Sequence, residues 1–183
     1  MRHLPNIICL LRMALILPVA ATLRSGEPLL ALGLFVAAAV SDGVDGYLAK
    51  RFNWVSELGK ILDPLADKLL LVTVFVAATW SGLIPWWLTA AVVTRDVLIG
   101  LGALTFRVWF GPLRGRPTVL SKVNTGTQLG YVTVVLLHAA ASVPPHEVID
   151  ACGLITLATT VTSGLHYVLT FARRAWVQPA RSA

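Results

Sequence analysis

What most constrains the fold of this chain is the recurrence of long apolar segments cut by short polar breaks. Six segments can be marked, at approximately 5–23, 28–49, 58–80, 84–106, 120–142 and 149–172. Each is close to the roughly 20 residues that a helix needs to cross a bilayer's hydrocarbon core. The breaks are polar or turn-forming: "RSGE" at 24–27, "KRFNWVSE" at 50–57, "SGLIP" at 81–85, "FGPLRGRPT" at 110–118 and "VPPHE" at 143–147. Charged residues make up 13% of the 183 positions, about half the share of roughly 25% usual in soluble domains. Mean hydropathy is +0.76. An ordinary soluble domain is excluded. The expected fold is an all-α integral membrane protein, a six-transmembrane-helix bundle in which residues 1–183 form one domain, without repeat or linker.

The net charge of +6 could suggest nucleic acid, but with so much apolar sequence no nucleic-acid partner is expected. Basic loops facing anionic membrane lipids explain it better. The basic residues alternate onto one side of the expected bundle: Arg2; Lys50, Arg51 and Lys60; Arg107, Arg114, Arg116 and Lys122; Arg173, Arg174 and Arg181. The other side receives only Arg24. With six spans, the positive-inside rule places both termini in the cytoplasm. Arg12 and Pro18 lie within the first segment and almost no basic residue precedes it, so a retained helix is expected there rather than a cleaved signal peptide. Cys9 and Cys152 have no metal-type spacing and are expected to be small buried residues.

Against this apolar background, carboxylates gather between residues 41 and 68. Asp42 and Asp45 are three apart, Asp63 and Asp67 four apart, so each pair shares one face of its helix. A turn between the helices can bring the two faces together. Four uncompensated anions would repel one another, so cations must sit among them. Oxygen ligands without His or Cys favour Mg2+ or Mn2+ over zinc. Two such ions bridged by carboxylates would form the clamp used for displacement at phosphorus. Gly46 and Gly59 lack a Cβ and would allow a bulky ligand close to the backbone; tight helix packing in lipid is the plainer explanation of the same residues. Ion pairing of the aspartates with Lys60, Lys68 and Arg51 is the structural alternative to a metal site.

The run Asp42-x-x-Asp45-Gly46-x-x-Ala49-Lys50, eight residues, then Gly59-x-x-x-Asp63-x-x-x-Asp67 resembles the signature of the CDP-alcohol phosphatidyltransferases. All seven fixed positions match. One neighbour departs: the family usually has Arg after the alanine, and here Lys50 stands there with Arg51 next. Either could take the role. "PNIICLLR", Pro5 to Arg12, is similar to the family's first-helix pattern, with Asn6 and Arg12 on one face and Cys9 where Thr or Ser is common.

The resemblance implies a bacterial inner-membrane enzyme of phospholipid biosynthesis with its active site at the cytoplasmic side. It implies two Mg2+ or Mn2+ ions held by Asp42, Asp45, Asp63 and Asp67, and a CDP-diacylglycerol donor whose nucleotide meets Asn6, Asp45, Gly46, Ala49, Lys50 and Gly59. Asp67 is the expected general base, taking the acceptor's hydroxyl proton as CMP leaves. A homodimer is also implied. Candidate acceptor-binding residues are Arg95, Arg107, Arg114, Arg116, Lys122 and Asn124; Arg95 with Asp96 could equally be a structural ion pair, and Arg114 and Arg116 could serve orientation alone.

The acceptor is expected to be a glycerol-based lipid. "TRDV" at 94–97 and "PTVLSKVNTGTQL" at 117–129 resemble cardiolipin synthases of the mitochondrial and actinobacterial type, which use phosphatidylglycerol. Phosphatidylglycerophosphate synthases, which use glycerol 3-phosphate, resemble the 41–68 stretch nearly as well, and neutral Asn124 suits a lipid diester better than a free phosphomonoester. A divalent-cation carrier is the distant alternative. His138 and His166 are expected to be hydrogen-bonded core residues, and the tryptophans near segment ends to be interfacial anchors.

Overall fold

The computed structural model describes the backbone of residues 4–52, 59–110 and 118–177, and side chains over 12–41, 43, 51, 66–102, 105 and 118–171. Among the described residues there are six helices and no strand: α1 (Leu4–Arg24), α2 (Pro28–Phe52), α3 (Gly59–Trp80), α4 (Trp86–Phe110), α5 (Val119–Ala141) and α6 (His146–Val177). They follow the six apolar segments. The helices run past the apolar runs where charge begins, so α2 carries the first aspartate pair in its second half.

The turns have local causes. Gly26 (φ 72°) and Gly82 (φ 74°) close α1 and α3 in the left-handed conformation that glycine adopts without strain. Thr118 caps α5, its hydroxyl accepting from the Ser121 amide at 3.3 Å. Helix α1 packs against both α2 and α3, α5 against α2 and α6, and α4 against α6 and α3.

The core is built from Val19, Leu23, Phe35, Leu70, Val74, Phe75, Leu88, Val92, Val132 and Leu136. Helix α6 joins it differently, through Gly153, Thr156, Thr160 and Ser163, all buried. Thr160 donates to the Asn124 side-chain oxygen at 2.9 Å, Thr127 and Thr159 share a bond of 2.9 Å, and Thr156 donates to the Thr127 carbonyl at 3.3 Å. Such hydroxyl pairs join helices where neither face gains by hiding from water.

The remaining surface is apolar. Leu17, Leu29, Val40, Leu98, Leu101, Leu154, Leu165 and Leu169 are exposed, while Arg12, Arg95, Asn124 and Gln128 are buried. Buried polar side chains beside the apolar core, together with so many exposed leucines and valines, depart from the usual pattern of a water-soluble protein. Among the described residues, one helix, His146–Phe171, is long and apolar enough by itself to cross a membrane.

Trp80, Trp86 and Trp87 are exposed at helix ends, as expected of anchors. His138 is half-buried and bonds through Nδ1 to the Pro144 carbonyl at 2.6 Å. His166, expected in the core, is exposed, because its position on α6 faces away from the α5 seam. Cys152 is half-buried against the core rather than enclosed; Cys9 lies outside the described side chains.

Candidate active site

The best-described part of the site is the wall around Asp67. Arg12, on the middle of α1, is almost wholly enclosed, and its Nη1 donates to Asp67 Oδ1 on α3. The Asp67 side chain remains 40% exposed. One partner is fixed inside the bundle and the other can still meet a ligand. Because α1 packs on α2 and α3 alike, it delivers this guanidinium where the two aspartate-bearing helices need a counter-charge.

Arg12 and Asp67 stand at the edge of a cleft of about 70 Å³, walled by Ala38 and Ala39 of α2, Leu70 and Leu71 of α3, and Thr125 and Leu129 of α5. Helix register extends these walls. On α2, positions 42, 45 and 49 continue the face of Ala38; on α3, positions 59 and 63 precede Asp67 on one face. By helix spacing alone, positions 42 and 45 share one face of α2 and positions 63 and 67 share one face of α3; of the four aspartates, Asp67 lines the cleft. The side chains of Asn6, Asp42, Asp45, Gly46, Ala49, Lys50, Gly59, Asp63 and Arg107 lie outside the described residues, as do Arg114 and Arg116 entirely.

A second charged group lies beside the first. Asp96 on α4 accepts from Lys68 Nζ at 2.7 Å and from Arg95 Nη1 at 2.6 Å, both at Oδ1. Arg95 Nη2 reaches Ser121 on α5 at 3.0 Å and Ser163 on α6 at 2.6 Å. Arg95 and Asp96 are enclosed, with side chains 4% and 7% exposed, whereas Lys68 is 39% exposed. The Arg95–Asp96 ion pair is therefore present, and it ties four helices together. Lys122 is exposed on α5, and Asn124 is enclosed between α5 and α6.

Arg12 as the partner of Asp67, and Lys68 as the partner of Asp96, were not among the expected site residues. Fifty-five residues separate the first pair, so no local spacing announces it. The available signal was physical: an arginine in the middle of an apolar helix requires a buried acceptor. Lys68 enters the sequence reading only in the alternative of ion pairing within the aspartate cluster; here it bonds Asp96.

A larger cavity of about 480 Å³ lies at the other end of the bundle, near Trp87, Tyr131, His138, His146 and Asp150. It is remote from the aspartates. Among the described residues no three His, Cys, Asp or Glu side chains are grouped so as to hold a metal ion; three of the four aspartates are outside that set.

Comparison with known proteins identifies the family. The family model described as CDP-alcohol phosphatidyltransferase matches residues 2–172. The chain is 31% identical over 182 residues to a probable cardiolipin synthase (CMP-forming) of Drosophila melanogaster, covering 91% of this chain and 56% of the relative. It is 33% identical over 186 residues to cardiolipin synthase (CMP-forming) of Homo sapiens, covering 90% and 60% respectively. A CDP-diacylglycerol–glycerol-3-phosphate 3-phosphatidyltransferase of Bacillus subtilis is 31% identical over 147 residues, 73% of this chain and 69% of the relative. The chain thus spans somewhat under two thirds of the length of the two animal relatives. With the family model matched over nearly its whole length, the chain belongs to the CDP-alcohol phosphatidyltransferase family.

Proposed function

We propose that the protein transfers a phosphatidyl group from CDP-diacylglycerol to a hydroxyl of phosphatidylglycerol, giving cardiolipin and CMP. The observation that carries this reading is the family match over residues 2–172, joined to Asp67 standing at a cleft with Arg12 enclosed behind it. The similarity to cardiolipin synthases supports the acceptor, and Asn124, enclosed and neutral, brings no charge for a free phosphomonoester. Transfer to glycerol 3-phosphate is the second reading, favoured by the Bacillus subtilis relative.

Asp42, Asp45, Asp63 and Asp67 are four hard-oxygen donors on facing register, a set suited to two Mg2+ or Mn2+ ions. Bound there, the ions would neutralise pyrophosphate charge and make the phosphorus more electrophilic. The chain's own residues do the rest. Arg12 orients the Asp67 carboxylate through its Nη1. Asp67 accepts the proton of the acceptor hydroxyl at its exposed side. Asn6, Gly46, Ala49, Gly59 and Lys50 or Arg51 line the nucleotide's place; the small residues leave room for it against the helix backbone.

The apolar exterior supports a six-helix bundle embedded in a bacterial inner membrane, with both termini and the aspartate end on the cytoplasmic side. There a lipid-borne donor and a lipid acceptor can enter sideways. Helices α5 and α6 bury hydroxyls and amides along their contact but no carboxylate among the described residues, so a cation carrier gains no support.

The acceptor is tested by supplying the purified protein with CDP-diacylglycerol, Mn2+ and either phosphatidylglycerol or glycerol 3-phosphate, and identifying the lipid product. Cardiolipin from phosphatidylglycerol is expected. Product from glycerol 3-phosphate alone would replace the first reading with the second.

A further inference from the structure

Among the described residues, the charged group around Asp96 holds two cations and one carboxylate. Lys68 and Arg95 share a single carboxylate, and they share even the same oxygen of it. Asp67, the adjacent anion on α3, is itself engaged by Arg12. An uncompensated positive charge in an apolar bundle is costly and calls for an anion. Arg95 cannot readily supply the contact: its terminal nitrogens are engaged by Asp96, Ser121 and Ser163, and its side chain is 4% exposed. Its Nε and Asp96 Oδ2 are buried without a hydrogen-bond partner among the described residues, so the group is incomplete as it stands.

Lys68 differs in each respect. Its side chain is 39% exposed. It follows Asp67 directly, about 100° further round the helix. Its ammonium carries three donors, and one goes to Asp96. We propose that Lys68 is the cation that receives the phosphate of the acceptor, and that Asp96 and Arg95 act as positioning residues that hold it beside Asp67.

The assignment rests on the phosphatidyltransferase reading and narrows it. Phosphatidylglycerol and glycerol 3-phosphate share a phosphate linked to a glycerol that bears a free hydroxyl. With the phosphate on Lys68, that hydroxyl falls to the neighbouring Asp67, the proposed base. Arg95, expected to grip the acceptor itself, acts through its neighbours instead, and Ser163 on α6 gains an indirect link to substrate binding.

The test is steady-state CMP release by the full chain in lipid nanodiscs, varying phosphatidylglycerol or glycerol 3-phosphate at saturating CDP-diacylglycerol. Lys68→Gln is expected to raise the acceptor's KM by about tenfold or more while the donor's KM moves far less. Lys68→Arg should recover most of the loss. Inorganic phosphate should compete with the acceptor, and its inhibition constant should rise with the same substitution. Because Lys68→Gln leaves Asp96 with one partner fewer, the near-isosteric double variant Lys68→Gln/Asp96→Asn removes both charges of the pair together. Its acceptor KM should also be raised.

A normal acceptor KM in both variants, with only kcat or thermal stability reduced, overturns the assignment and leaves the transferase reading standing. Absence of CMP from the unsubstituted protein with every acceptor overturns both. A KM effect confined to one acceptor supports the assignment and identifies that acceptor as the phosphate's source.

Discussion

Arg12 and Asp67 show how a single pair links stability to chemistry. Removing the guanidinium leaves a carboxylate against an enclosed cavity, while water still reaches its outer side. Arg12→Leu is therefore expected to lower stability by about 1–3 kcal/mol, less than for a fully buried pair. Turnover should fall by about tenfold or more, because the base loses its orientation. Thermal unfolding in detergent and CMP release measure the two effects separately; an Arg12→Leu protein with normal turnover would detach this arginine from the site. Arg12→Lys should fold but regain only part of the rate, since an ammonium lacks the guanidinium's fixed fork.

At this scale the sequence was readable where the chemistry is local. The spacing of Asp42, Asp45, Asp63 and Asp67 along two helices predicts a shared face on each; of the four side chains, the structure describes Asp67. Partners from distant elements have no such spacing. The Arg95–Asp96 pair was visible because its members are neighbours, but the serines that hold Arg95 come from α5 and α6.

Among elements, the contact of α5 with α6 carries the most testable energetics. Thr160→Val removes the donor to Asn124 and leaves an enclosed amide oxygen without its bond. A loss of about 1 kcal/mol is expected in thermal or denaturant unfolding. Gln128 behaves oppositely. It is fully buried, and neither of its amide atoms has a hydrogen-bond partner among the described residues. Gln128→Leu should be neutral or stabilising, because it removes a polar group whose desolvation is not repaid. Destabilisation beyond about 1 kcal/mol would mean that the amide is bonded in the working protein.

Helix positions themselves were largely legible. The apolar runs located all six elements, and Gly26 and Gly82 marked real turns. The helix ends were less so: α2 runs on to Phe52, α4 to Phe110 and α6 to Val177, each a few residues past its apolar segment. The helical backbone satisfies its own hydrogen bonds whether its side chains are apolar or charged. The polar seam escaped notice because threonines scattered along α6 look unremarkable until α5 lies beside them.

At the scale of the whole molecule, the distribution of polarity decides the solvent. Many leucines and valines are exposed, while two arginines, two amides and several hydroxyls are buried beside the apolar core, an arrangement that suits a lipid surround. If both termini are cytoplasmic, a cysteine introduced at Glu27, in a background without Cys9 and Cys152, should react with a membrane-impermeant thiol reagent from outside intact cells. One introduced at Arg181 should react only after permeabilisation. The reverse pattern would invert the orientation and place the aspartates on the wrong side of the membrane for a cytoplasmic site.

The central claim is that the aspartate end of this bundle performs phosphatidyl transfer. It is tested most directly by following CMP from CDP-diacylglycerol in nanodiscs containing phosphatidylglycerol and Mg2+ or Mn2+, for the unsubstituted protein and for Asp67→Asn. The account predicts CMP and cardiolipin in equal amounts from the former, lost on chelation and restored by either metal. It predicts no turnover from Asp67→Asn, with CDP-diacylglycerol binding largely kept. No CMP from the unsubstituted protein with any acceptor, or equal rates from the two proteins, would contradict it.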